Sequence, residues 1–208
     1  MRISKRFLIS KVGLGVFLLL WLVGSLQAQQ VIFEDNFDGG KADRWTTIDG
    51  EWQVEDAAFA RVGREEQYAK AMAGDVNWTD YIVEVDVTLK EAVGANCAGL
   101  LVRADEEGSN GFRFWLRTDM PSQFSKWVDN KYEHIKIDIP VDIEVGTTYY
   151  LKAIVEGSKH LYFINDEPVV EYEDEEGFRE SGRIGFITYA VYPHFDNVKV
   201  SSTTVTTV

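Results

Sequence analysis

The chain has 208 residues, 34 of them acidic against 21 basic, a net charge of −13 and a single cysteine. So acidic a surface repels phosphate backbones and anionic lipid heads, which argues against nucleic acid and membrane partners. One thiol excludes an intrachain disulfide framework.

In chain order, the first 28 residues stand apart. Arg2, Lys5, Arg6 and Lys11 precede an apolar run, Val12 to Leu26, and Gln27-Ala28-Gln29 follows. A basic start, an apolar stretch and a small residue make the layout of a secretory signal, and the run is shorter than the roughly 20 residues of a membrane-spanning helix. We therefore expect a signal peptide over 1–28, one domain over 29–201, a Ser/Thr-rich tail over 202–208, and a secreted or periplasmic mature protein. Losing the four cations of the leader takes the net charge to −17. That charge suits neutral sugars, bound cations or solubility alone.

From there the chain reads as strand almost throughout. Tyr81 to Leu89 alternates apolar and polar, as do Phe112 to Arg117 and His134 to Ile139, so each is expected to bury one face. Thr148 to Val155 and Leu161 to Ile164 are rich in β-branched and aromatic residues. Asn165-Asp166 predicts a tight hairpin into Val169–Tyr172. Arg183 to Ala190 and Phe195 to Val200 complete the set, with turn signals at Asp49-Gly50, Glu107-Gly108, Asn110-Gly111, Glu156-Gly157 and Ser181-Gly182. Many short strands at regular turns predict an all-β protein, an antiparallel two-sheet sandwich or barrel. Cys97, in an apolar stretch, is expected to be a small buried hydrophobe.

Five motifs then make the pattern specific. They are Phe33-Glu34-Asp35-Asn36-Phe37 with Trp45, Gly50-Glu51-Trp52-Gln53-Val54, the hairpin Leu161 to Val169, Gly182-Arg183-Ile184-Gly185-Phe186, and Phe195-Asp196-Asn197-Val198-Lys199-Val200. In this order they resemble the concanavalin A-like lectin/glucanase superfamily, in particular laminin G-like carbohydrate-binding domains and the 3-keto-disaccharide hydrolases. The resemblance implies a concanavalin A-like jelly roll. It also implies a structural Ca²⁺ held by Asn36, Gly50 and Asp196, with Asp35 nearby, an oxygen set of the kind calcium takes.

The glucanase branch carries a strand with three carboxylates on one face, one of them nucleophile and one general acid. Glu84-Val85-Asp86 looks like its first half, but Thr88 and Leu89 follow where the third should stand. The N-S-G-I and E-x-Q elements of the keto-sugar hydrolases are likewise absent from Cys97 to Arg103 and Gly111 to Phe114. His134, His160 and His194 are scattered, and no G-x-S-x-G, H-E-x-x-H or phosphate loop occurs. The expected function is glycan or polysaccharide binding without chemistry. The alternatives are a divergent keto-sugar hydrolase and a protein-binding adhesion domain.

Alternation places a candidate site. If Phe112, Phe114 and Leu116 point inward, Arg113, Trp115 and Arg117 share the other face. Leu101 and Arg103 of the preceding strand and Ile187 and Tyr189 near the end are expected beside them. An exposed Trp115 flanked by guanidinium forks would stack on a sugar ring and donate to hydroxyls or a carboxylate. Alternatively Arg packs over Trp as a cation–π pair without a ligand. Trp45 and Trp52 are assigned to the core. The acidic runs Asp105-Glu106-Glu107 and Glu173 to Glu176 are expected to be solvated loops.

Overall fold

The computed structural model describes residues 29–63 and 65–203, so the expected leader and the end of the tail lie outside it. Thirteen strands occur, with no helix among the described residues. They are β1 (Val31–Asp35), β2 (Thr46–Asp49), β3 (Glu51–Glu55), β4 (Ala58–Val62), β5 (Tyr68–Ala73), β6 (Tyr81–Ala104), β7 (Gly111–Leu116), β8 (Ser122–Val128), β9 (Lys131–Ile139), β10 (Thr148–Glu156), β11 (Lys159–Ile164), β12 (Glu167–Glu173) and β13 (Arg183–Ser202).

Two long strands organise the rest. β6 and β13 pair antiparallel from Arg183 opposite Ala104 to Ser202 opposite Tyr81. The ladder shifts register around Ala190, whose φ is +49°, and around Pro193, so the ribbon bends midway. On one side of the bend, Tyr81 to Leu89 continues into β10, β11 and β12, while the end of β13 carries β1 and the β4–β3 hairpin. On the other side, Cys97 to Ala104 continues into β7, β8 and β9, and the start of β13 carries β5 and β2. The two layers face each other as an antiparallel sandwich.

Sequence alternation explains the inner surface. Tyr81, Val83, Val85, Val87 and Leu89 are buried, while the residues between them are half-buried. Phe112, Phe114 and Leu116 meet them from the opposite sheet in one core. Trp45 stacks on Phe186 at 4.4 Å, and Phe186 on Phe195 at 3.9 Å. Asp35 accepts a hydrogen bond from Trp45 Nε1 at 3.1 Å, which ties the first motif to that stack. At the hairpin, Asn165 and Asp166 have φ of +51° and +65°, the paired left-handed turn that matches strand twist.

The sheet of β7 differs, because its outer face is covered as well. Met72, Leu101, Trp127 and Ile187 form a second buried cluster there. The loop after β6 closes over it: Trp127 Nε1 donates to Gly108 O at 3.0 Å, and Lys70 Nζ donates to Glu107 O at 3.2 Å and Asn130 Oδ1 at 2.9 Å. This double coverage removes alternation from β5 and β8, which the sequence pattern did not single out; β4, in the other layer, is buried on both faces as well. The acidic runs are mostly solvated as expected, with Asp174 the exception. Asp105 accepts from Ser109 N and Asn110 Nδ2 to shape the covering loop. Asp174 is buried, accepts from Phe178 N at 2.6 Å and pairs with Lys126 at 3.4 Å.

Phe186 sits between two rings with no exposure. Phe186→Ala is expected to cost about 3–5 kcal/mol of stability, read as a fall in the urea midpoint with unchanged slope.

Candidate functional site

On the outer face of the β7 sheet lies an open cleft of about 520 Å³. Four rings shape it: Tyr68 from β5, Trp115 from β7, Tyr132 from β9 and Tyr189 from β13. Between them stand the polar groups of Asn96, Arg117, Gln123 and His134. Cys97 lies at its edge as the expected buried thiol, its pKa pushed up to about 12 by burial.

Three of the five expected sugar-facing residues, Trp115, Arg117 and Tyr189, line this cleft. Their exposure differs from expectation. Trp115 is only 2% exposed, because Arg113 packs over its ring with Cζ 3.0 Å from the centroid and Tyr132 closes in at 6.0 Å. Arg113 is fully buried beneath the cleft, with Trp127 at 4.4 Å, Tyr132 at 5.1 Å and Tyr68 at 5.6 Å from its Cζ. Arg117 is held by both oxygens of Asp119, at 3.0 and 2.8 Å.

Arg103 does not join them. The β6–β13 ladder shifts register beside it, and its φ is +48°, so its side chain leaves the face. The guanidinium instead donates to Thr79 O at 3.0 Å and Arg179 O at 3.3 Å, stapling loops at another end of the sandwich.

Beneath the cleft, buried polar atoms are left without partners. They are all three nitrogens of Arg113, Trp115 Nε1, Gln123 Oε1 and Ser125 Oγ. The register explains their grouping, since Arg113 stands opposite Ser125 and Trp115 opposite Gln123 across the β7–β8 pair. Such groups cost free energy in a folded protein and mark places where a partner is expected. Burial lowers the Arg113 pKa to about 10. His134 is pushed below its ordinary value by burial and then by Arg113 and Arg117, so its ring is neutral at pH 7.

The sequence pattern missed Tyr68, Asn96, Gln123, Tyr132 and His134. Of these, His134 carried a usable signal, since it starts an alternating strand opposite Ile135.

Glu84 and Asp86 lie on the opposite sheet's outer face, half-buried among protein partners. Glu84 accepts from the Tyr150 hydroxyl and Asp86 from Asn197 Nδ2 at 2.9 Å. Of the residues implied for calcium, Asp35 and Asn36 share a hollow with Asn197, next to Asp196. Gly50 falls outside this group: its φ is +76° and it packs against Ala69, at the end of β3–β4 remote from the Phe59–Phe195 pairing. Both oxygens of Asp35 take protein donors, from Phe37 N and Trp45 Nε1. Among the described residues no group of three or more His, Cys, Asp or Glu is placed to hold a metal ion. The donors that remain near Asp196 are oxygens, the type a hard cation takes.

Comparison with known proteins agrees with this architecture. Residues 33–201 match the family described as the 3-keto-alpha-glucoside-1,2-lyase-like domain. A levanase of Bacillus subtilis (strain 168) is 25% identical over 160 residues, which is 76% of this chain and 23% of that enzyme, so the chain spans under a quarter of its length. The carbohydrate binding module CBM66 from Bacillus subtilis superposes with a TM-score of 0.69 at 23% identity, covering 76% of this chain and 96% of that one. A protein of unknown function with a galectin-like fold, also from Bacillus subtilis, gives 0.62 at 14% identity over 83% and 96%. The fold is the expected concanavalin A-like jelly roll.

Because Trp115 is a core side chain that also walls the cleft, Trp115→Ala is expected to cost about 3–5 kcal/mol and to lower the melting temperature by several degrees. A thermal scan reads this directly. An unchanged melting temperature would return Trp115 to the surface.

Proposed function

The chain belongs to the 3-keto-alpha-glucoside-1,2-lyase-like domain family, and within that family we propose that it is an exported carbohydrate-binding module without chemistry of its own. The observation that carries this reading is the cleft: four aromatic rings around a floor of unpartnered polar atoms. Aromatic faces stack on the C–H surfaces of sugar rings, while Gln123 and the neutral His134 offer both donors and acceptors to hydroxyls; the Asn96 amide is already held by Gly94 and Thr118. The similar proteins, a levanase and a carbohydrate binding module, point the same way.

The cleft lining contains no Asp or Glu, which supports binding without chemistry. Glycoside hydrolysis in its usual form needs two carboxylates flanking the scissile bond. One observation favours the second reading, a keto-sugar-cleaving enzyme of the family's named kind. His134 lines the cleft and is neutral at pH 7, so it is free to accept a proton. Incubating the protein with 3-keto-glycosides and following release of the aglycone separates the two readings. No release is expected, and turnover abolished by His134→Ala would establish the enzyme.

Tyr132 is 49% exposed, so its ring contributes more to a ligand than to the core. Tyr132→Ala is expected to weaken the tightest glycan found on an array by about tenfold, the loss typical of an aromatic anchor. Its stability is expected to change by no more than about 0.5 kcal/mol.

A structural Ca²⁺ beside Asp196 and Asn36 is a separate proposal. Burial, followed by the charges of Asp86 and Asp38, raises the Asp196 pKa, and a bound cation would relieve that repulsion. EDTA is then expected to lower the melting temperature and added Ca²⁺ to restore it.

A further inference from the structure

Arg113 is the exception among the buried cations described. Arg61 pairs with Glu65 at 2.8 Å, Lys70 donates to Glu107 O and Asn130 Oδ1, Arg103 donates to Thr79 O, and Lys126 pairs with Asp174 and Glu176. Arg113 has zero exposure, none of its three nitrogens makes a well-formed hydrogen bond, and the polar group that acts on it is the neutral Tyr68 hydroxyl rather than a carboxylate. Leaving a buried charge unpaired is among the costliest arrangements in a folded protein.

The surrounding rings do not resolve this. A ring attracts a guanidinium through its face, whereas the five N–H donors point outward in the plane of the fork. Trp115, with its centroid 3.0 Å from Cζ, leaves no space for an acceptor on that side. Across the β7–β8 pair Ser125 stands in register with Arg113, and its hydroxyl is unpartnered. Trp115 Nε1 adds another free donor and Gln123 Oε1 a free acceptor across the neighbouring pair. The uncommitted groups are therefore a bidentate cation, two small donors and one acceptor.

The cleft supplies no counter-charge. No Asp or Glu lines it, and the charge of Arg117 is spent on Asp119. His134 is neutral. The positive charge left over is that of Arg113, inside a chain whose net charge is −13. An acidic surface discourages loose capture of polyanions, so any preference for an anion has to come from this local contact.

The geometry points to a carboxylate-bearing sugar, a uronic acid residue, as the ligand class of this cleft, its carboxylate on the fork of Arg113 and a ring hydroxyl on Gln123. This rests on the carbohydrate-binding reading above and deepens it. A planar carboxylate accepts two parallel N–H bonds from a guanidinium edge. Access runs past Tyr132, the ring of the four that is half in solvent and carried on edge strand β9, where rotamer changes are fast. The unpaired Arg113 is then a cost to the free protein that ligand binding recovers.

Calorimetric titration of the purified domain with oligogalacturonate, its neutral galactose counterpart and a sulfated galactose oligomer tests this. Oligogalacturonate is expected to bind at least about tenfold tighter than either of the others, the size of one charge-assisted contact. Arg113→Met is expected to weaken uronate binding by about 10- to 100-fold while melting at the same or a higher temperature. Should that variant fail to fold, Arg113→Lys, which keeps the charge and loses the fork, is expected to weaken uronate binding in the same direction. Equal binding of uronate and neutral oligomers, preference for the sulfated one, or uronate binding untouched by either variant overturns the inference and leaves the parent reading in place. Binding of none of the three, together with an empty glycan array, overturns both.

Discussion

The structure depends on one ladder, the antiparallel pairing of β6 with β13 along nearly the whole of both strands. Each strand is long enough to belong to both sheets, so the ribbon holds the sandwich together through the backbone before any side chain packs. Register shifts at Tyr189–Val191 and Tyr192–Pro193 bend it, and the bend brings Val83, Val85 and Val87 against Leu100, Val102 and Phe114 across the core. The other strands add outward from this ribbon on either side, which is why the first and last motifs of the chain meet at the Trp45–Phe186–Phe195 stack.

The same ribbon sets the site. On the inner face of its second sheet, alternation is enough to describe the packing. On the outer face, the loop ending at Gly108 and the edge strand β9 fold inward, so residues that alternate away from the core are buried a second time. Apolar members of that face, such as Leu101 and Ile187, are stabilised by this coverage. Polar members are stabilised only where a partner arrives. Lys70 finds three acceptors there, whereas Arg113 makes no well-formed hydrogen bond and has only the neutral Tyr68 hydroxyl acting on it. A fold that tolerates this cost at one place, next to an aromatic cleft, has the character of a binding site rather than of a packing defect.

Much of the fold was legible because period-two alternation is a local signal. Tyr81 to Leu89, Phe112 to Leu116 and the Asn165-Asp166 hairpin each declare themselves within a few residues. β4, β5 and β8 did not, because a strand covered on both faces has no reason to alternate. For the site, alternation correctly set Trp115 and Arg113 on the face opposite Phe114, and Tyr189 beside them. It could not report that Tyr132, nearly twenty residues on and two strands away, would close over both. Nor could it foresee Arg103, whose side chain is turned off the face by a positive φ at a register shift.

By itself, then, the sequence determined the strand class, the inward face of each alternating strand, and through five ordered motifs the jelly-roll family, since these rest on short-range periodicity and turn chemistry. Only the tertiary structure decided what covers the outer face. Exposure is a property of neighbours brought together across the β7–β8–β9 and β6–β13–β5 ladders. That is why Trp115 could be placed on its face from the pattern yet becomes a buried wall of the cleft. It is also why the unpaired charge of Arg113, the feature on which the ligand reading now turns, appears only when the chain is folded.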